Sequence, residues 1–151
     1  PRDIFDIAEG TRPGDREAAR ESFRRFGEVA GDVISQALTI IDGIVVLGGG
    51  LTGAAKYFMP SLLAEMRGEI GTFAGDRFPR LQMQTYDLDS PEEAAEFVRE
   101  KSVPVAVPHS EERVRYHHIR QTPVVRSKLG ASRAIALGAY AFAIAELDRR
   151  Q

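Results

Sequence analysis

Four of the six residues from Gly48 to Gly53 are glycines, in the stretch DGIVVLGGGLTGAAKYF at positions 42–58. Glycine loses more conformational freedom on ordering than any other residue, so each one in a fixed turn needs a physical reason. One or two could serve a tight, closely packed strand-to-helix turn. Four together argue for a ligand, because absent side chains let a flat or charged group touch backbone amides. The N-terminus of the helix that follows favours negative charge at that place. The chemistry suggested is recognition of an anion by backbone.

Gly48, Gly50 and Gly53 satisfy G-x-G-x-x-G after a strand and before a helix, the dinucleotide-binding pattern. That reading also needs an acidic residue about 20 positions on, at the end of the next strand. Glu69 has the distance but reads as a loop residue among Gly68, Ile70 and Gly71, and Asp87 ends a plausible strand too late. A long helix precedes the turn, whereas the fingerprint belongs to a first strand. A P-loop is excluded by spacing, since no Gly-Lys-Ser/Thr follows and Lys56 stands three residues beyond Gly53. Lys56 itself reads as a solvated helical lysine. His109, His117 and His118 have no cysteine or spaced carboxylate partners, and adjacent histidines on a strand point to opposite faces, so no metal site is expected. Ser110 beside His109 lacks a nucleophile elbow.

The elements that must position the turn follow from periodicity. Asp15, after Pro13 and Gly14, is placed to cap a helix in which Ala19, Phe23, Phe26, Ala30, Val33, Ile34, Ala37, Leu38 and Ile41 form the expected buried stripe. Ile44 to Leu47 is a continuous apolar run, as in a parallel strand covered on both faces. Helix resumes from Thr52 or Gly53, with Pro60 expected to kink or divide it and Gly68 to end it. RLQMQTYDL reads as a strand and SPEEAAEFVREK as a helix capped by Ser90 with Pro91 at its first position. Short strands are expected around Val105, Arg113 to Tyr116 and Val124 to Arg126. The chain closes on an alanine-rich helix, apolar nearly all round, in which Gly138 is expected to permit close packing.

Composition bounds the partners. The chain of 151 residues is about one domain, 43% hydrophobic and 28% charged, as in a globular protein. Twenty basic against 22 acidic residues leave no wide positive face for nucleic acid. The absence of cysteine suits a reducing cytoplasm, and no apolar run reaches membrane-span length. The first residue is Pro1 rather than Met, so the chain reads as a piece of something longer.

The stretch IIDGIVVLGGGLTGAAKYFMPSLLAEM, the upstream GDREAARESFRRFGEVAGDVISQALT and the closing RSKLGASRAIALGAYAFAIAEL resemble the C-terminal half of the ROK family of sugar kinases and repressors, especially its glucokinase-like members. The resemblance covers roughly positions 13–68 and 123–147. Its most specific part, the strand ending in three glycines, resembles the adenosine motif of the hexokinase and actin-like ATPase superfamily. It implies an α/β fold, the C-terminal lobe of an actin-like ATPase (ribonuclease H-like) fold, incomplete as given. Residues 1–14 would be a lead-in, 15–151 the nucleotide-side lobe, and about 69–122 a variable segment. It implies an ATP site in which Gly48, Gly49 and Gly50 pass beside ribose and phosphates, with Leu51 and Thr52 at the edge. Around SKLG, with Arg126, Lys128 and Arg133 nearby, Ser127 and Gly130 either border the nucleotide or form a plain turn and cap.

The family's phosphate motif of the D-x-G-G-T kind, catalytic Asp, sugar-holding Glu and His, and cysteine-rich zinc motif have no match here. The expectation is therefore an ATP- and Mg-dependent hexose kinase, with glucose the first candidate, of which this lobe holds ATP but cannot phosphorylate by itself. The repressor branch and a non-catalytic interaction or oligomerisation module stay open. The terminal helix would cross to the other lobe in the family, so here it is expected to pack on a neighbouring chain, giving a homo-oligomer, or to fold back irregularly.

Overall fold

The computed structural model describes residues 1–149. Helix α2 (Arg16–Leu38) starts where Asp15 accepts hydrogen bonds from the amides of Glu17 and Ala18, at 2.9 and 3.0 Å. Of the expected stripe, Ala19, Phe23 and Leu38 are buried and Ala30 and Ile34 pack against the core, but Gly27, Gly31 and Ser35 complete the buried face while Phe26, Val33 and Ile41 are exposed. The reason is helix α3 (Ala55–Met66), whose backbone lies against Gly27 and Gly31 so closely that small residues, not large ones, occupy the contact. Ser61 on α3 donates to the Arg24 carbonyl of α2 at 2.8 Å, and Phe26 meets Phe58 edge to face.

Helix α3 follows strand β1 (Val45–Leu47) through the glycine turn and a 3-10 turn (Thr52–Ala54). Pro60 neither divides nor ends α3; one uninterrupted helix runs past it to Met66. Packing of Phe58, Met59, Leu62, Leu63 and Met66 into the core outweighs the lost backbone hydrogen bond.

A three-stranded parallel sheet carries the turn. Its order is β1, β7 (Arg120–Arg126), β4 (Met83–Asp87), with Val45 beside Val124 and Asp87 on the other side of Val124. Helices α2 and α3 cover one face, where Val124 is fully buried. On the other face Val46 is 60% exposed, so β1 is not covered on both sides as its apolar run had suggested. Helix α4 (Pro91–Val98) begins at Ser90, whose hydroxyl accepts from the Glu93 amide at 3.3 Å, and packs by Phe97 on Tyr86.

Several elements depart from expectation. Residues 2–9 form a helix, α1 (Arg2–Glu9), that buries Ala8 and closes on Gly10 in the left-handed conformation. The acids and Arg2 around Ile4, Phe5 and Ala8 had masked its apolar spacing. Glu69 is not in a loop but opens strand β2 (Glu69–Gly71), paired antiparallel with β3 (Arg77–Pro79). The strands expected around Val105 and from Arg113 to Tyr116 are, by contrast, present as β5 (Val103–Ala106) and β6 (Arg113–Tyr116), joined in a second hairpin. The last helix, α5 (Ala131–Asp148), is continuous rather than irregularly folded back, and none of its described residues is buried. A Cβ at Gly138 would meet nothing within 4 Å, so that glycine does not serve close packing in this chain. Among the described residues no helix is long and apolar enough to cross a membrane.

Candidate functional site

The carboxyl ends of β1, β7 and β4 lie side by side, and the loops that leave them are Gly48 to Leu51, Ser127 to Gly130, and Leu88 to Asp89. Ligands of open parallel sheets bind at this edge, because helix N-termini and unpaired loop amides converge there. Two of the three loops open into helix N-termini without a side-chain cap: the 3-10 turn leading into α3, and α5. The third, at α4, is capped by Ser90 and carries Glu92 and Glu93 in its first turn, so it does not attract an anion.

The glycine turn has a defined geometry. Gly49 takes φ +95°, which only glycine adopts without strain, and its carbonyl accepts from both the Thr52 amide at 3.3 Å and the Thr52 hydroxyl at 2.8 Å. The side chain of Leu51 goes inward against the core and anchors the turn. Gly48 has only the Ser127 Cβ at ordinary contact distance, 3.9 Å. Gly50 and Gly53 are different: neither has a left-handed φ, and a Cβ on either would meet nothing within 4 Å. Neither backbone conformation nor packing inside the chain requires glycine there. What a side chain at Gly50 or Gly53 would obstruct is the open space beside the backbone, which is where a ligand must come.

Hollows lie on both flanks of the turn. One, of about 280 Å³, is lined by Thr52, Gly53, Asp89, Arg126, Ser127 and Lys128. The other, of about 230 Å³, is more apolar and lies between Phe5 of α1, Phe23, Gly50, Leu51 and Ala54. Two larger hollows lie elsewhere, against Arg67 and Glu93 and along Glu17 and Arg24, and neither contains a residue of the glycine turn. Backbone chemistry rather than volume singles out the turn.

The five residues Gly48, Gly49, Gly50, Leu51 and Thr52 are thus brought to one sheet edge, with Leu51 contributing through the core. Ser127 and Lys128 join Thr52 in the polar hollow, and the Ser127 amide donates to the Leu47 carbonyl at 2.8 Å, which fixes the two loops together. Gly130, at φ +72°, starts α5. Lys56 does not reach the turn and is not simply solvated. It pairs with Glu9 of α1 at 2.6 Å and lies 5.1 Å from the ring centre of Tyr57. Hydrogen bonds from Lys56 and Tyr57 hold the Glu9 carboxyl below the usual glutamate range, and Glu9 in turn raises Lys56.

Arg126 belongs to the basic cluster around SKLG that the sequence indicates, but Asp89 was not singled out, nor was its pairing with Arg126. Their side chains meet at 2.5 Å across the ends of β4 and β7, Asp89 only 16% exposed and Arg126 45%. The available signal was an acid just beyond the strand end in YDLD, but nothing in the sequence placed β4 next to β7. Among the described residues no three or more His, Asp or Glu side chains gather as a metal cage. The residues present fit a nucleoside phosphate: open amides and uncapped helix N-termini for the phosphates, and neighbouring apolar and polar hollows for the rest. A magnesium ion there would be carried mainly by the phosphates themselves.

No protein-family model matches the chain, and no curated protein matches it. Among solved structures it is similar to the crystal structure of glucokinase from Parabacteroides distasonis. The likeness has 46% sequence identity and a TM-score of 0.78 over 95% of this chain. The chain spans 38% of the length of that glucokinase. Its mixed α/β fold with a parallel sheet is glucokinase-like over nearly its whole length, in agreement with the resemblance read from the glycine turn.

Proposed function

We propose that this chain is the nucleotide-binding lobe of an ATP-dependent hexose kinase of the glucokinase kind, a ROK-family protein with the actin-like ATPase fold, working in the cytoplasm. The observation that carries the proposal is the pair Gly50 and Gly53, bare without conformational or packing cause, at the carboxyl end of β1 in a glucokinase-like chain. In this reading the amides of Gly48 to Gly50 and the N-terminus of the following helix receive the phosphates, while Leu51 holds the turn rigid. Magnesium, bound with ATP, neutralises charge on the transferring phosphoryl group. Transfer itself needs a hexose hydroxyl and a base aligned on the terminal phosphate. We assign these to the remainder of the protein, so the lobe by itself binds ATP without transferring phosphate, and glucose is the first substrate to try.

Calorimetric titration of the whole protein with Mg·ATP tests the site. Gly50→Val places a side chain in open space at an unstrained position, so the melting temperature stays as it is. Affinity for ATP falls at least about tenfold, the loss expected when one good contact is blocked. Gly49→Val forces a branched residue to a left-handed φ and in addition costs about 1–3 kcal/mol of stability. Unchanged ATP affinity in Gly50→Val would overturn the assignment of the turn.

A further inference from the structure

Within the nucleotide cleft, on which this inference rests, we propose that Asp89 is the specificity-determining acceptor. It reads the neutral hydrogen-bond donors of the nucleoside, and Arg126 holds it in position. The cleft beside Gly53 combines opposite charges. Lys128 and the amides at the two helix N-termini suit phosphate, but Asp89 is a carboxylate and repels it. A carboxylate lining this hollow is suited instead to N–H and O–H donors, which a nucleoside offers as the exocyclic amino group of adenine and the ribose hydroxyls.

The carboxylate is also preorganised. The Asp87 side chain accepts from the Asp89 amide at 2.9 Å and sets the loop, while Arg126 engages Oδ2 at 2.5 Å. Asp89 is only 16% exposed, so an unmatched analogue leaves a largely desolvated carboxylate satisfied by Arg126 alone, which is how a site rejects a ligand lacking one donor. The ion pair engages the Arg126 Nε, and Lys128, without an ion-pair partner among the described residues, also lines the hollow. Asp89 and Arg126 also line the adjoining hollow with Met59 and Pro60, so the pair forms the wall between the two.

The test compares ATP, GTP and 2′-deoxy-ATP by calorimetry on the whole protein, as wild type and as Asp89→Ala and Asp89→Asn. GTP carries a carbonyl at C6 where ATP has its amino donor, and offers N1–H and a C2 amino group instead; deoxy-ATP removes one ribose hydroxyl. The wild type is expected to prefer ATP over at least one analogue by about tenfold or more, and that analogue identifies the donor which Asp89 reads. Asp89→Ala brings the preference to within about twofold, with Asp89→Asn intermediate because its carbonyl still accepts. A purely structural tie between β4 and β7 would lower the affinity for all three ligands by one common factor, and that result overturns the inference. So does a wild type that binds the three alike. Failure of the wild type to bind ATP at all is a separate result, which removes the nucleotide reading itself and this inference with it.

Discussion

At the scale of single residues, glycines with the same letter in the sequence have different causes. Gly49 is required by its φ of +95°, Gly27 by a neighbouring backbone, and Gly50 by neither. The sequence showed that the cluster was unusual, but only built Cβ directions separate these causes. Charge pairs were less legible, because their partners come from distant positions. Glu9 and Lys56, 47 positions apart, meet between α1 and α3. The Glu9 carboxyl is held below its ordinary value of 4.5, first by Lys56 and then by Tyr57, so its contribution to stability is complete above that value and is lost as pH falls through the depressed one. Lys56 is raised above 10.5, and its contribution fades only in alkali. Melting temperatures of wild type and Glu9→Gln should therefore differ at pH 7 and converge as the pH falls below 4.5 through the depressed value. A difference that persists at low pH would show that the glutamine perturbs α1 packing rather than removing a charge contact.

At the scale of elements, capping signals were reliable because they are local. Asp15 and Ser90 sit at the N-caps of α2 and α4 and accept the expected amides. The buried face of α2 is legible in part: Ala19, Phe23 and Leu38 lie in it as their spacing implies, but hydrophobicity also favours Phe26 and Val33 whereas close approach by α3 selects Gly27 and Gly31. The short hairpin β2–β3 was missed because three-residue strands are too short to show a period. The glycine face has a measurable consequence. A Cβ at Gly27 would stand 2.1 Å from the Ser61 hydroxyl and 2.3 Å from the Phe58 carbonyl oxygen. Gly27→Ala should thus lose about 1–3 kcal/mol by overpacking, in spite of a helix-propensity gain of about 1 kcal/mol. Gly138→Ala, with open space around it, should show the gain alone. Denaturant titration of both variants separates the terms, and a stabilised Gly27→Ala would mean that α2 and α3 lie farther apart.

At the scale of the whole molecule, the parallel sheet and the α2–α3 layer place one core on one side, and α5 stands apart from it. Ile135, Leu137, Tyr140, Phe142 and Leu147 project from α5 into solvent, with Phe142 70% exposed. Burying a side chain of this size contributes roughly 1.5–3 kcal/mol, so an isolated helix presenting five of them gains strongly from any apolar surface that covers it. For this chain alone in solution, the available surface of matching chemistry is α5 of another copy, which is nearly uncharged from Ala134 to Ala145 and therefore repels little. Light scattering should accordingly find self-association that grows with concentration. The pair Tyr140→Lys and Phe142→Glu should return the chain to a monomer with unchanged helix content by circular dichroism, since neither side chain is buried in the chain's own core. The whole protein should not respond to these substitutions in the same manner if its remainder covers α5. There they should lower the melting temperature instead, so the two measurements together distinguish a surface shared between copies from one closed within a single molecule.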